Sequence, residues 1–259
     1  MSLLLLVLTL VSLSVVLASR PAGAGFQIGG KVFALLVGID TYGDASLPRL
    51  RSAVSDARAV RDRLLPLIPG TPGKVTLLEN AQATRRGILI AFDALGEAGP
   101  DDTVLVYFAS HGTGEQLVPY DAETGHVDAT TLALADVLRR VNALKAGRVF
   151  VILDTRAGSP APYAAVPLRP GRFVLAATLS LEDEKLGQGL LTHFFLKGAE
   201  GAAADPTGAV DVLALARYVA GQITTAGTAG AEGEKVVFAA GLLEGPAPVV
   251  VRPPAGPRR

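Results

Sequence analysis

Residues Arg148–Ser159 read RVFVILDTRAGS, an apolar run that stops abruptly at Asp154. Val149 to Leu153 is rich in Val, Ile and Phe, which favours a strand buried on both faces, and a loop of small residues follows at once. A second run, DTVLVYFASHG (Asp102–Gly112), has the same form and ends on His111. In an open α/β sheet the loops leaving the carboxyl ends of central strands are where ligands and chemistry sit. Two such strands side by side would place His111 and the Asp154–Gly158 loop at one edge of the sheet.

Outward from this pair, strands alternate with helices. Towards the amino terminus, strands are expected at Lys31–Gly38 and Lys74–Leu78. An amphipathic helix at Ser52–Leu65 carries Ala53, Ala57, Val60 and Leu64 on one face and is stopped by Pro66. Thr84–Ala98 is a second helix, with Thr84 as its cap. Towards the carboxyl terminus, a helix at Ala129–Leu144 precedes the 149–153 strand. Strands at Arg172–Thr178 and Lys235–Gly241 and helices at Gly189–Gly198 and Val210–Ile223 follow. This alternation predicts right-handed βαβ crossovers and a three-layer α/β sandwich, with a mostly parallel six-stranded sheet between helices.

The 259 residues suit one such domain, expected over residues 31–250. Twenty-four basic and twenty-four acidic residues cancel, and no Lys/Arg block stands out, so nucleic-acid binding is disfavoured. The chain has no cysteine, which excludes disulfides, thiolate metal sites and thiol catalysis together. Its three histidines, His111, His126 and His193, are far apart, and neither a paired-His zinc motif nor a phosphate-binding Gly-Lys loop is present. Gly29-Gly30 precedes a strand rather than following one, so it is no dinucleotide fingerprint. The run at 182–185 lacks the alternating carboxylates of a calcium loop. No metal or cofactor is called for.

Leu3 to Ala18 is a nearly unbroken apolar run. As a helix it would span about 24 Å, short of the ~30 Å hydrocarbon core. That length suits a secretory signal, with Ala22-Gly23-Ala24 as a cleavage site, although the only positive charge ahead of it is the terminal amine. The competing reading is an uncleaved anchor with Arg20 just past its end. Residues 1–24 are therefore expected to be a signal peptide or a membrane anchor, either of which puts the domain at or beyond a membrane. Residues 251–259 (VRPPAGPRR) form a short Pro/Arg tail.

The two loops together resemble those of the caspase and metacaspase superfamily of cysteine peptidases. There, a strand ending in Ser-His-Gly carries the base and the next ends in Asp-x-Cys with the nucleophile. The likeness extends to ALLVGIDTYGD and the helix after it, to LVPYDAETGH, and to Gly189 and Thr192 in a Gly-x-φ-Thr helix start. It implies a thiolate attacking a scissile carbonyl, helped by a His base and backbone oxyanion donors. Carried over, His111 is the base, Gly112 an oxyanion donor, and the cysteine position is Arg156. A guanidinium stays protonated and has no acceptor lone pair, so it cannot replace a thiolate. The resemblance thus implies a pseudopeptidase of bacterial type that binds a protein or peptide partner. The region that resembles the specificity pocket holds Asp40, Asp44 and Arg51, with Asp121 and Asp154 near by. An acidic pocket would take basic side chains, and Arg51 acidic ones. Asp154 is expected to tether its loop by accepting backbone N–H bonds, and Asp121 to line the pocket or fix a turn. Two rival readings remain: a hydrolase using Ser159 or Thr155 with His111, and a structural subunit of a membrane complex anchored by residues 3–18.

Overall fold

Each apolar run becomes a strand, and the central ones are buried on both faces: all seven residues of Thr103–Ala109 lie in the core. The computed structural model describes residues 30–113, 115–155, 165–177, 182–183, 187–227, 236–240 and 249–251. The principal strands are β1 (Lys31–Gly38), β2 (Thr71–Glu79), β3 (Thr103–Ala109), β4 (Arg148–Asp154), β5 (Arg172–Ala177) and β6 (Val236–Ala240). They form one six-stranded sheet in the order β6-β5-β4-β3-β1-β2. Its first five strands are parallel, and β6 closes the edge antiparallel to β5. Order reverses between β3 and β1, and the carboxyl edge at such a switch point is where ligands sit in doubly wound sheets.

Helices α1 (Ala53–Ala59), α2 (Arg85–Ala94), α3 (Leu134–Ala143), α4 (Leu190–Lys197) and α5 (Val212–Gly227) supply the outer layers. Alternation along the strands sorts the core into two clusters. Ala34, Leu36, Leu105, Tyr107, Phe150 and Ile152 meet α1, α4 and α5 on one face. Phe33, Leu35, Val37, Val104, Val106 and Val151 meet α2 and α3 on the other.

Three local expectations need correction. Pro66 does not stop the first helix. After Ala59 the chain widens into a π turn over Val60–Leu64, then tightens into a 3₁₀ turn, Leu65–Leu67. Pro66 sits in the first turn of that last piece, where its missing N–H costs nothing. The helix expected over 129–144 is broken: Val127–Thr130 is a single turn, and α3 begins only at Leu134. Between them Leu132–Ala133 pairs antiparallel with Gln116–Leu117, and Leu134 N–H donates to Glu115 O at 2.8 Å. Finally, β2 is nine residues long rather than five.

Thr84 caps α2, its hydroxyl accepting from Gly87 N–H at 3.0 Å. The carboxyl end of α3 is held by cations: Arg169 Nη1 donates to Asn142 O at 3.1 Å, and Arg172 Nη2 donates to Leu144 O. Burial pushes the Arg172 guanidinium below its ordinary pKa, and the Arg169 charge adds to this. The helix dipole supplies the opposing partial negative charge.

Candidate functional site

The register of the two central strands fixes the site. Ala109 of β3 lies beside Asp154 of β4, so His111 and residue 155 leave neighbouring strands at the same carboxyl edge. His111 is half-buried and held from three directions by the β1–α1 loop. Its backbone N–H donates to Tyr42 Oη at 2.7 Å. Its ring stacks on Tyr42 with centroids 5.1 Å apart and planes 23° apart. Its Nε2 lies 2.7 Å from Pro48 O. A carbonyl only accepts, so Nε2 carries a proton, and in the uncharged ring Nδ1 bears the lone pair. Burial pushes the Tyr42 phenol well above its ordinary pKa, so it remains a neutral platform. Gly112, half-buried, bridges antiparallel to Leu117 and turns the chain away after His111.

Behind this edge lies a buried polar cluster. Asp154 is 3% exposed, and its Oδ2 accepts from both the N–H and the hydroxyl of Thr192. Tyr107 Oη lies 2.6 Å from Thr192 Oγ1. Since the threonine proton goes to the carboxylate, Tyr107 donates into Thr192. Burial first, then the Asp154 and Asp56 charges, holds the Tyr107 phenol well above its ordinary pKa, which keeps that donor in place. Asp56 of α1 is 1% exposed and accepts Gly189 N–H at 2.7 Å. Two carboxylates, from α1 and β4, thus grip the start of α4. Among the described residues, the Asp154 carboxylate tethers the 189–192 segment; the loop after residue 155 lies outside them.

The remaining acidic positions are engaged in shaping loops. Asp40 Oδ1 accepts Val54 N–H at 3.3 Å, and its carbonyl accepts Leu50 N–H at 2.9 Å. Its own N–H and that of Thr41 donate to Asn80 Oδ1, with Asn80 in the left-handed region at φ 44°. Asp121 accepts Arg85 N–H at 2.7 Å and anchors the start of α2, so it fixes a turn. Asp44 clasps two loops by accepting the N–H and hydroxyl of both Ser46 and Thr124. Those bonds, the Ser46 hydroxyl foremost, hold its carboxyl far below the usual carboxylate range. A depressed folded pKa means the clasp contributes fully above about pH 4 and is lost only as pH falls through the lower folded value. A carbon-detected NMR titration should show Asp44 still ionised at pH 3; a midpoint near 3.9 would contradict the clasp.

Arg51 is exposed at the entry to α1. Arg49 is exposed next to Pro48 and forms no ion pair with any described residue. Sequence reasoning missed Arg49, Tyr42, Pro48, Asp56 and Tyr107. The Tyr turn after β1 was the one signal that could have drawn attention to Tyr42 and Pro48. Arg156 and Ser159 lie outside the described residues, as do residues 1–24 and 252–259. No helix among the described residues is long and apolar enough to cross a membrane, and none of their His, Asp and Glu side chains cluster in threes as a metal site would need.

Thr155 is 0% exposed, and its hydroxyl has no hydrogen-bond partner among the described residues. A buried unpaired hydroxyl is a liability, so Thr155→Val, which keeps the shape, should raise stability by about 1 kcal/mol. A urea midpoint that stays put or falls would count against this.

A five-strand parallel core closed by an antiparallel edge strand, with a histidine leaving one central strand beside an Asp-ended neighbour, defines a doubly wound α/β domain with its candidate site at the carboxyl edge of the sheet. A family model described as the caspase domain matches residues 31–202, and the chain belongs to that family. Among solved structures, the fold is similar to caspase-1 from Spodoptera frugiperda, with TM-score 0.60 and 14% identity over 82% of this chain and 88% of that one. It is also similar to protein GSU0716 from Geobacter sulfurreducens, with TM-score 0.55 and 14% identity over 83% of this chain and 95% of that one. No curated protein matches.

Proposed function

We propose that this is a non-catalytic caspase-domain protein that binds a peptide segment of a protein partner in the crevice beside His111, at the cell envelope. One observation carries the reading: the sequence contains no cysteine, while the base position is still built, with His111 held on Pro48 and Tyr42. A base without a nucleophile splits no peptide bond, but the crevice at the sheet's carboxyl edge remains a place to bind. Burial of Thr155 argues against that residue as the nucleophile of the hydroxyl rival, which then rests on Ser159 alone.

Arg49 is an exposed cation with no ion-pair partner among the described residues. Asp40, Asp44 and Asp121 accept hydrogen bonds within the loops, whereas Arg49 stands exposed beside the residue that holds His111. An acidic side chain is therefore the ligand group that Arg49 favours, as a bidentate partner. The envelope location rests on the apolar Leu3–Ala18 segment and is tested by fractionating cells that express the whole chain.

The decisive experiment pairs turnover with binding. The purified domain should hydrolyse no peptide library above the blank, and His111→Ala should leave that result unchanged. A peptide array should retain Asp- and Glu-containing peptides over Lys-containing ones, and Arg49→Ala should weaken retention about tenfold, the scale of one charge-assisted bond. Hydrolysis lost on His111→Ala would overturn the reading; equal retention by Arg49→Ala would overturn the preference.

A further inference from the structure

The core on the α1, α4 and α5 face holds a chamber of about 30 Å³. Fourteen residues line it and none is polar. Its floor is Phe150 and Phe173, stacked nearly parallel with centroids 5.3 Å apart and planes 22° apart. Its walls include Leu64 at the end of the π turn and Phe195 of α4. The lining also includes two small side chains, Ala216 of α5 and Val250. Val250 belongs to a three-residue strand, Val249–Val251, that pairs only with Val210–Asp211 among the described residues.

This space is large enough for a water but offers it nothing to bond. A water needs two to four polar partners, so a polar-free chamber of this size stays dry. Packed interiors rarely keep a void larger than one water, because lining atoms lose dispersion contacts across it. The two stacked phenyl rings of the lining offer a polarisable uncharged guest the contacts that an empty space lacks.

We infer that this chamber is a binding site for a small apolar molecule without hydrogen-bonding groups, of the size of a xenon atom or a two-carbon hydrocarbon. No charged residue lines it, and it shares no lining residue with the surroundings of His111, so the inference does not rest on the proposed function.

Xenon is the probe. Methyl-resolved NMR of the full chain under rising xenon pressure should show saturating shifts confined to methyls of Leu64, Leu215 and Val250. Ala216→Val, which adds two methyl groups to the lining, should abolish saturation while circular dichroism shows the fold retained. Val250→Ala, which enlarges the chamber, should tighten xenon binding severalfold, and it decides the matter if Ala216→Val does not fold. Shifts that stay linear with pressure, spread evenly over core methyls, or persist unchanged in both variants would overturn the inference.

Discussion

Gly189→Ala is expected to destabilise the domain by about 3 kcal/mol or more, the scale of overpacking a core that cannot yield. The backbone at 189 is not the reason, since φ −62° and ψ 138° suit any residue. The obstacle is steric and electrostatic at once. An added Cβ would lie 2.4 Å from Asp154 Oδ2 and 2.9 Å from Asp56 Oδ2. Neither carboxylate can retreat cheaply: one is bonded to Thr192 and the other to the N–H of residue 189 itself. To admit a methyl group the cluster must release at least one of these bonds in the interior, where an unmade bond costs about 1–3 kcal/mol. Gly96→Ala is the matched control, because a Cβ there meets nothing within 4 Å. Guanidinium melts should separate the two variants widely; coincident midpoints would mean that the 189–192 segment is not gripped as described.

The sheet was legible because its strands are continuous apolar runs of β-branched and aromatic residues, and burial on both faces requires that composition. His111 was legible as the end of such a run, and the caspase likeness followed from the order of several short motifs. What holds His111 was not. Tyr42 lies 69 residues away and Pro48 63, and Asp56 reaches Gly189 across 133. Local pattern carries no information about partners at that separation. The break before α3 was hidden for a different reason: apolar spacing runs on through Leu132, and the helix yields there only to a bridge with Gln116–Leu117. Asp40, Asp44 and Asp121 were readable as acids near the site but not as loop fasteners, because charge alone does not say which N–H groups will surround a carboxylate. An exposed Arg49 gave no signal either, since an unpaired arginine in sequence looks like any surface arginine.

Asp154→Ala should lower stability by about 3 kcal/mol, the range for removing one partner of a buried charge-assisted network. The deletion leaves the Thr192 N–H and hydroxyl without their acceptor and removes the group that orients the Tyr107–Thr192 bond. Thr192→Val alone should cost less, about 1–2 kcal/mol, because the valine keeps the packing and Asp154 retains the backbone N–H of residue 192. The double variant tests whether the three groups act together. If they form one network, its cost should fall short of the sum of the single costs by about 1 kcal/mol, since the second change removes a hydroxyl already stranded by the first. Additive costs would mean that Asp154 acts through other contacts and that the chain from Tyr107 is incidental. Amide exchange gives an independent reading: the N–H of Thr192 should lose protection in Asp154→Ala and keep it in Thr192→Val. That difference bears on the crevice as well, because Asp154 ends the strand beside His111. A carboxylate that fixes α4 against β4 remains necessary to the shape of the sheet's carboxyl edge whether or not any bond is cut there.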